Sequence, residues 1–406
     1  MAGLVDSLAA RAAALGRGLD RSLALLAAIA FITQIGVAVM LPLLPLYAQT
    51  LGATPRILGL LTSSFALTNA AGQLAAGFLA QRVGPRRLVP AGMGLYAGAN
   101  ALIATATAAL PLIAWRSVAG LGGGLGLVSE RLYLSQVINR ARLSFGNGLL
   151  SAAGSAGTVA EPAVGGILAS ADLRLPFILV AVTSALAAGA ALFLPRPRTA
   201  EIAAAAAAAE PEVVPDRRVL GILLAANVAL LAGFGAFITT YAPFATAELG
   251  WSKAEIGIVF ALFGLGSIVV GPWLGNLADR RGRRPIAILA CIPIVAFTLV
   301  FVAGAPQAIV FAAAIAAGGG VAGFEAAWYA LLVTATGGVR GGRLFGTISA
   351  LSTLGIVVGA NAAANLWEAV DIHAGVLVVA VAAVAAGAAM FVFPAALPAD
   401  PGPGEA

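Results

Sequence analysis

Two short stretches decide how this chain reads: Gly77-Phe78-Leu79-Ala80-Gln81-Arg82-Val83-Gly84 and Gly275-Asn276-Leu277-Ala278-Asp279-Arg280-Arg281-Gly282. Each ends a long apolar run with a glycine, a small polar group and arginine. They are copies of one another at an offset of about 195–198 residues, which is the mark of an internal repeat. Other pairs keep the same register. Gly122-Gly123-Gly124 with Tyr133 stands opposite Gly318-Gly319-Gly320 with Tyr329, and Gly157 and Glu161 stand opposite Gly355 and Gly359. The chain is two matched halves in sequence.

The solvent of those halves follows from composition. Of 406 residues, 61% are hydrophobic and 10% charged, against about 25% charged in a soluble globular domain. Too few charges are present to cover a water-facing surface. The apolar residues also come in blocks such as Leu23–Ala48 and Ala374–Phe393, each long enough to cross a hydrocarbon core of about 30 Å as a helix. Lipid cannot satisfy backbone groups, so the blocks are helices. Short alternating segments of a lipid-facing barrel are missing.

Apolar runs between charges, Gly and Pro divide the chain into twelve spans: 23–48, 56–80, 86–106, 109–133, 144–170, 175–195, 219–246, 254–278, 285–304, 307–334, 344–368 and 373–394. The domains expected are an N-terminal segment 1–22, a six-helix bundle 23–195, a linker 196–218, a second bundle 219–394 and a tail 395–406. The first segment, with Leu4, Leu8, Leu15 and Leu19 at near-helical spacing and Arg11, Arg17 and Arg21 among them, reads as an amphipathic surface helix. The arginines orient the whole. With both termini cytoplasmic, the groups Arg82/Arg86/Arg87, Arg131/Arg140/Arg142, Arg196/Arg198/Arg217/Arg218, Arg280/Arg281/Arg283/Arg284 and Arg340/Arg343 all lie inside. Outer loops keep only Arg56, Arg174 and Lys253. This positive-inside asymmetry explains the formal charge of +6 and removes nucleic acid as a partner.

Residues 275–285, completed by Arg283-Arg284-Pro285, resemble the loop signature G-x-L-A-D-R-x-G-R-R of the major facilitator superfamily. The copy at 77–87 is degenerate, with Gln81 in place of the acid. In the fourth span, Leu112, Arg116, Gly120 and Gly122 resemble a second family signature, with Ala119 where Gln is usual. In the fifth, Gly157, Pro162, Gly165 and Gly166 resemble the exporter-associated signature, with Glu161 replacing the Gly before Pro. Pro42, Pro45 and Tyr47 in the first span are also common in the drug/proton antiporter branch. The resemblance implies twelve helices in two pseudo-symmetric bundles. Spans 1, 4, 7 and 10 would line a central cavity, 2, 5, 8 and 11 would join the halves, and 3, 6, 9 and 12 would face lipid.

Candidate site residues fall into four groups. Glu161, about 13 Å below the outer surface at 1.5 Å per residue, is a carboxylate too deep to stand ionised and alone. Arg116 lies at a similar depth, so the two are read as a proton-coupling pair, or else as a static ion pair. Gly77, Arg82, Gly84, Arg86, Gly275, Asp279, Arg280, Gly282 and Arg283 are read as a conformational latch, in which Gly77 and Gly275 allow close helix approach. Glu130 and Glu325 would be partners of the loop arginines. The rival reading makes Glu325 a proton site beside Trp328 and Tyr329. Gln34, Phe234, Phe237, Tyr241, Phe324 and Trp328 are candidate cavity walls. Gly157, Pro162, Gly165, Gly166, Gly355 and Gly359 are packing and hinge positions where the halves meet.

Enzyme chemistry finds no constellation. His373 is the single histidine and Cys291 the single cysteine, so neither a metal cluster nor a histidine-based triad is available, and no cofactor is implied. The expected function is secondary transport: proton-coupled efflux of small hydrophobic or amphipathic molecules by a monomer in the plasma membrane. An importing symporter or uniporter is the alternative, and a non-transporting membrane sensor a remote one.

Overall fold

The computed structural model describes residues 21–137, 164–196, 216–335, 347–348 and 350–394, and over these it is helical apart from turns. The N-terminal segment, the linker region 197–215 and the positions of Gly157, Glu161 and Pro162 lie outside the described residues, as do the side chains of Gln34 and Asp279.

The first half contains α1 Arg21–Met40, α2 Leu44–Thr50, α3 Pro55–Val83, α4 Pro85–Ala104, α5 Ala109–Val137 and α6 Leu175–Leu192. The second contains α7 Arg217–Ala247, α8 Lys253–Val269, α9 Gly271–Arg281, α10 Arg283–Val302, α11 Gln307–Ala335, α12 Leu354–Ala369 and α13 Ile372–Val392. A helical stretch, 164–171, precedes α6. Among the described residues, seven helices are long and apolar enough to cross a membrane.

Two expected spans are broken. The first turns at 41–43 between α1 and α2, where Pro42 and Pro45 cannot donate to the preceding turn. The eighth divides at Val270 between α8 and α9, just before Pro272, for the same reason. At the start of α8, Ser252 and Glu255 form a reciprocal capping box.

The packing repeats with the sequence. In the first half α3 packs on α5, α4 on α5 and α6, and α1 on α6; in the second α8 packs on α11, α10 on α11 and α13, and α7 on α13. The contact points correspond. A methyl at Gly120 would strike the Phe65 carbonyl, and one at Gly318 would strike the Phe263 carbonyl. Asn69 Nδ2 donates to Gly120 O at 3.2 Å, while Ser267 Oγ donates to Gly318 O at 2.9 Å. Two pseudo-symmetric six-helix bundles therefore share one internal design, with small residues letting backbones approach where lipid supplies no hydrophobic drive between helices.

Candidate functional site

The loops that carry the repeated signature are tight turns. Gly84 (φ +82) joins α3 to α4 and Gly282 (φ +97) joins α9 to α10, a region that glycine enters without steric cost. The arginines beyond them do not meet the expected glutamates. Arg86 donates to the carbonyls of Leu192 and Leu194 at the end of α6. Arg284 donates to Met390 and Phe391 at the end of α13. Arg283 reaches Ala330 O and Thr334 Oγ1 on α11, at 3.2 and 2.6 Å. Arg86 and Arg284 thus reach carbonyls at helix C-termini, where intrahelical donors run out, and all three cations lie near a negative dipole end. Arg82 and Arg280 are exposed.

This corrects the expected pairing of Glu130 and Glu325 with the loop. Glu130, in α5, is 6% exposed, and its Oε1 has no hydrogen-bond partner among the described residues. Glu325, in α11, is half-buried and lines an internal cavity. Neither makes an ion pair with a loop arginine among the described residues. Gly77 also departs from expectation, since no described atom would touch a methyl there, and a methyl at Gly275 would meet Ala326 only at an ordinary 3.7 Å.

Arg116 is nearly fully buried, at 2% exposed. Its guanidinium lies 4.1 Å from the Phe65 ring centroid, and Nη1 approaches Met40 Sδ at 3.6 Å. A cation–π contact thus holds it against α3. Glu161 lies outside the described residues, and among those described Arg116 has no carboxylate partner.

The cavity has a volume of about 150 Å³ and lies inside the second bundle. Its wall is supplied by α7 (Leu230, Leu231, Phe234, Phe237), α8 (Phe263), α10 (Ile294, Phe297), α11 (Val321, Glu325) and α13 (Val379, Ala383). Glu325 is the one ionisable group among these. Phe237 organises the aromatic side, with ring centroids 6.1 Å from both Phe263 and Phe297.

Of the expected wall residues, Phe234 and Phe237 line this cavity, while the other aromatics are packing. Trp328 is fully buried and donates Nε1–H to Leu223 O at 2.7 Å. Tyr241 donates to Ile256 O at 3.1 Å, and Phe324 is fully enclosed. Phe263 and Phe297 were absent from the expected walls. Their helical spacing to Phe260 and Phe301 was a signal for an aromatic face, but nothing in it says which way the face points.

The halves meet on α3, α7, α8 and α12. Asn361 Nδ2 donates to Ser63 Oγ at 2.6 Å, Thr239 Oγ1 to Thr62 Oγ1 at 3.2 Å and Lys253 Nζ to Ala169 O at 2.8 Å. Arg56 pairs with Glu368 at 2.7 Å. Gly59 sits against Ala360 and Ala364. A methyl on Gly166 would stand 2.7 Å from Lys253 O, and Gly165 beside it is buried. These contacts all lie at the end remote from Gly84 and Gly282. Gly355 and Gly359 serve elsewhere. They face Val228 and Ala232 of α7, within their own bundle, and Ala360, Asn361 and Ala364 provide the surface toward α3.

Two packed six-helix bundles whose described hydrogen bonds and ion pair to one another gather at one end define a membrane carrier of the repeat-built kind. The chain matches the Major Facilitator Superfamily over residues 26–244 and again over 222–406, and it belongs to that family of non-enzymatic, multi-pass membrane transporters. Among relatives, it is 25% identical over 268 residues to an uncharacterized MFS-type transporter of Methanocaldococcus jannaschii, covering 64% of this chain and 68% of that one. It is 24% identical over 230 residues to the quinolone resistance protein NorA of Staphylococcus aureus, covering 56% of this chain and 59% of NorA; the match thus spans under two thirds of NorA's length. Solved structures with the same fold include the nucleoside transporter NupG, with TM-score 0.75 and 13% identity over 92% of this chain and 98% of that one. A bacterial homolog of the human lysosomal transporter Spinster, inward-facing and occupied, gives TM-score 0.74 and 15% identity over 93% and 97%.

Proposed function

We propose that the chain is a proton-coupled exporter of small amphipathic molecules, working by alternating access in the plasma membrane with both termini cytoplasmic. The observation that carries this reading is the cavity with apolar and aromatic walls and one carboxylate, Glu325. Apolar walls with few polar anchors suit lipophilic ligands. A single acid with no described counter-cation gives the site two exchangeable occupants, a proton or the positive end of a ligand. That competition is the simplest antiport device: loading the substrate releases the proton, and reloading the proton releases the substrate. The similarity to NorA supports export over import. Contacts between the halves at the end away from the arginine loops support an access state open toward the basic, cytoplasmic end.

Glu325 replaces the Glu161–Arg116 pair as first candidate for proton coupling, because Arg116 is engaged by Phe65 and Met40. Glu161 is kept as the second.

The test is uptake of a lipophilic cationic dye into proteoliposomes, driven by an imposed pH gradient. Wild type accumulates dye and dissipates the gradient, and Glu325→Gln loses gradient-driven accumulation while retaining dye exchange at equal pH. Transport by Glu325→Gln that still follows the pH gradient rejects the assignment, and loss of coupling in Glu161→Gln alone moves it to the fifth span. If a pH gradient does not move the dye in any variant, the importing alternative gains. The fold similarity to nucleoside and sugar transporters makes nucleosides and pentoses the next probes.

A further inference from the structure

The signature loop of the second half borders a pocket of about 630 Å³, lined by Arg281, Gly282, Arg283, Arg284 and Pro285 together with Ile288, Leu331, Phe391 and Phe393. Among its described lining residues there is no carboxylate. A second hollow, of about 560 Å³, begins where this one ends, since Ile288 and Phe391 line both. It runs between α10 and α13 past Cys291, Ile292, Val295 and Leu299 on one side and Val384 and Ala388 on the other. Ile292, Leu299, Val384 and Phe391 are all exposed on this face. The two hollows form one feature: a basic rim at the membrane surface opening into an apolar groove that follows α10 from Ile288 to Leu299.

We propose that this feature is a binding site for an anionic phospholipid, its phosphate at the arginines and one acyl chain in the α10–α13 groove. The charge is complementary. Arg281 is exposed and makes no hydrogen bond or ion pair among the described residues, and Arg284 uses Nε and Nη2 on α13 carbonyls with Nη1 left to donate. Guanidinium donors suit phosphate oxygens. The groove commits the ligand to a lipid, since a free phosphate would leave its apolar length uncovered. The internal repeat adds a control. In the first half Val83 stands at the position of Arg281 and Pro85 at that of Arg283, while Arg87 stands at that of Pro285, so the equivalent surface of α4 and α6 has one cation fewer and none at the position of Arg281. By bridging the loop to the exposed side of α13, a bound lipid would brace the ends of α9, α10 and α13, so that transport depends on leaflet composition.

The experiment is native mass spectrometry and thermal unfolding of the full chain with phosphatidylglycerol, phosphatidylcholine or inorganic phosphate. Phosphatidylglycerol is expected to remain bound with one high-affinity equivalent and to raise Tm, whereas phosphatidylcholine and phosphate do neither. Arg281→Gln should weaken phosphatidylglycerol about fivefold, the share of one interfacial arginine. Ala296 lines the groove and not the basic pocket, and Ala296→Phe, which fills the groove, should weaken it as well. Equal binding of the two lipids, or displacement by phosphate alone, overturns the proposal. So does a dimer whose mass persists without lipid and is lost in Ala296→Phe, which would assign the groove to a second copy. Lipid binding is read without transport, so its failure is separable from failure of the export assignment.

Discussion

At the residue scale, a buried polar atom tells more than a buried ring. Trp328 looked like a cavity wall because aromatic residues on a cavity-lining span are good candidates for one. Its indole N–H, however, is bound to Leu223 O, and an indole so placed is a clamp between α11 and α7. Trp328→Phe is expected to lower stability by about 1–2 kcal/mol, through loss of that buried hydrogen bond and of part of the ring's packing, with substrate preference unchanged; thermal unfolding beside a dye-competition series checks both halves of that statement. Phe297→Ala is expected to change substrate preference as well as stability, since the ring is both cavity wall and core. It should enlarge the cavity and raise the relative rate for bulkier dyes, which transport assays on a size-graded pair will measure. Glu325 is the instructive case. The residue was legible in the sequence as a charge in an apolar span, which is always informative, but its role was drawn toward the loop arginines because they share the basic end of the span. The structure resolves this by giving those arginines other partners, the carbonyls at the ends of α6 and α13 and the Ala330 carbonyl and Thr334 hydroxyl of α11.

At the scale of elements, glycine has two distinct uses here, and sequence alone does not separate them. Gly359 is a packing glycine, since a methyl there would overlap the Ala232 carbonyl. Gly77 carries the stronger signature, yet no described atom lies near it. Gly359→Ala is therefore expected to cost about 1–3 kcal/mol by overpacking, while Gly77→Ala stays within about 0.5 kcal/mol of wild type. Denaturation of the two purified variants side by side decides the point, and equal losses would show that the described packing around Gly359 relaxes freely. The helix breaks were not legible in the same way: proline flanks both the turn at 41–43 and the division at Val270, yet Pro90, Pro243 and Pro293 lie inside unbroken helices, so packing decides which proline ends a helix.

At the scale of the molecule, the described hydrogen bonds and ion pair between the halves gather at one end. Gly59 and Ala364 face one another there, and a methyl on Gly59 would lie 2.8 Å from the Ala364 Cβ. Cysteines at 62 and 239, whose threonine hydroxyls lie 3.2 Å apart on the same seam, in a chain where Cys291 is replaced by Ala, are expected to cross-link under mild oxidation, stop transport and release it on reduction. Transport that continues through the cross-linked form would mean that the halves do not part at this end. The ion pair Arg56–Glu368 bridges the same seam, but with its side chains 69% and 36% exposed it contributes no more than about 1 kcal/mol. Arg56→Ala should accordingly shift the balance of access states slightly without changing the fold.

The sequence by itself determined the solvent, the approximate spans and the twofold repeat. Each of these depends on composition along the chain: how many apolar residues run together, where charges interrupt them, and at what spacing the interruptions recur. What the tertiary structure alone decided was which side chains share a chamber. In water, the polar face of a helix reveals its rotation. In lipid, helices such as α1, α11 and α13 are apolar all round, and successive side chains advance by about 100°, so nothing local states which flank turns inward. Whether Glu325, Phe263 and Phe297 converge, and whether Trp328 packs or lines, is fixed by contacts between helices distant in the chain.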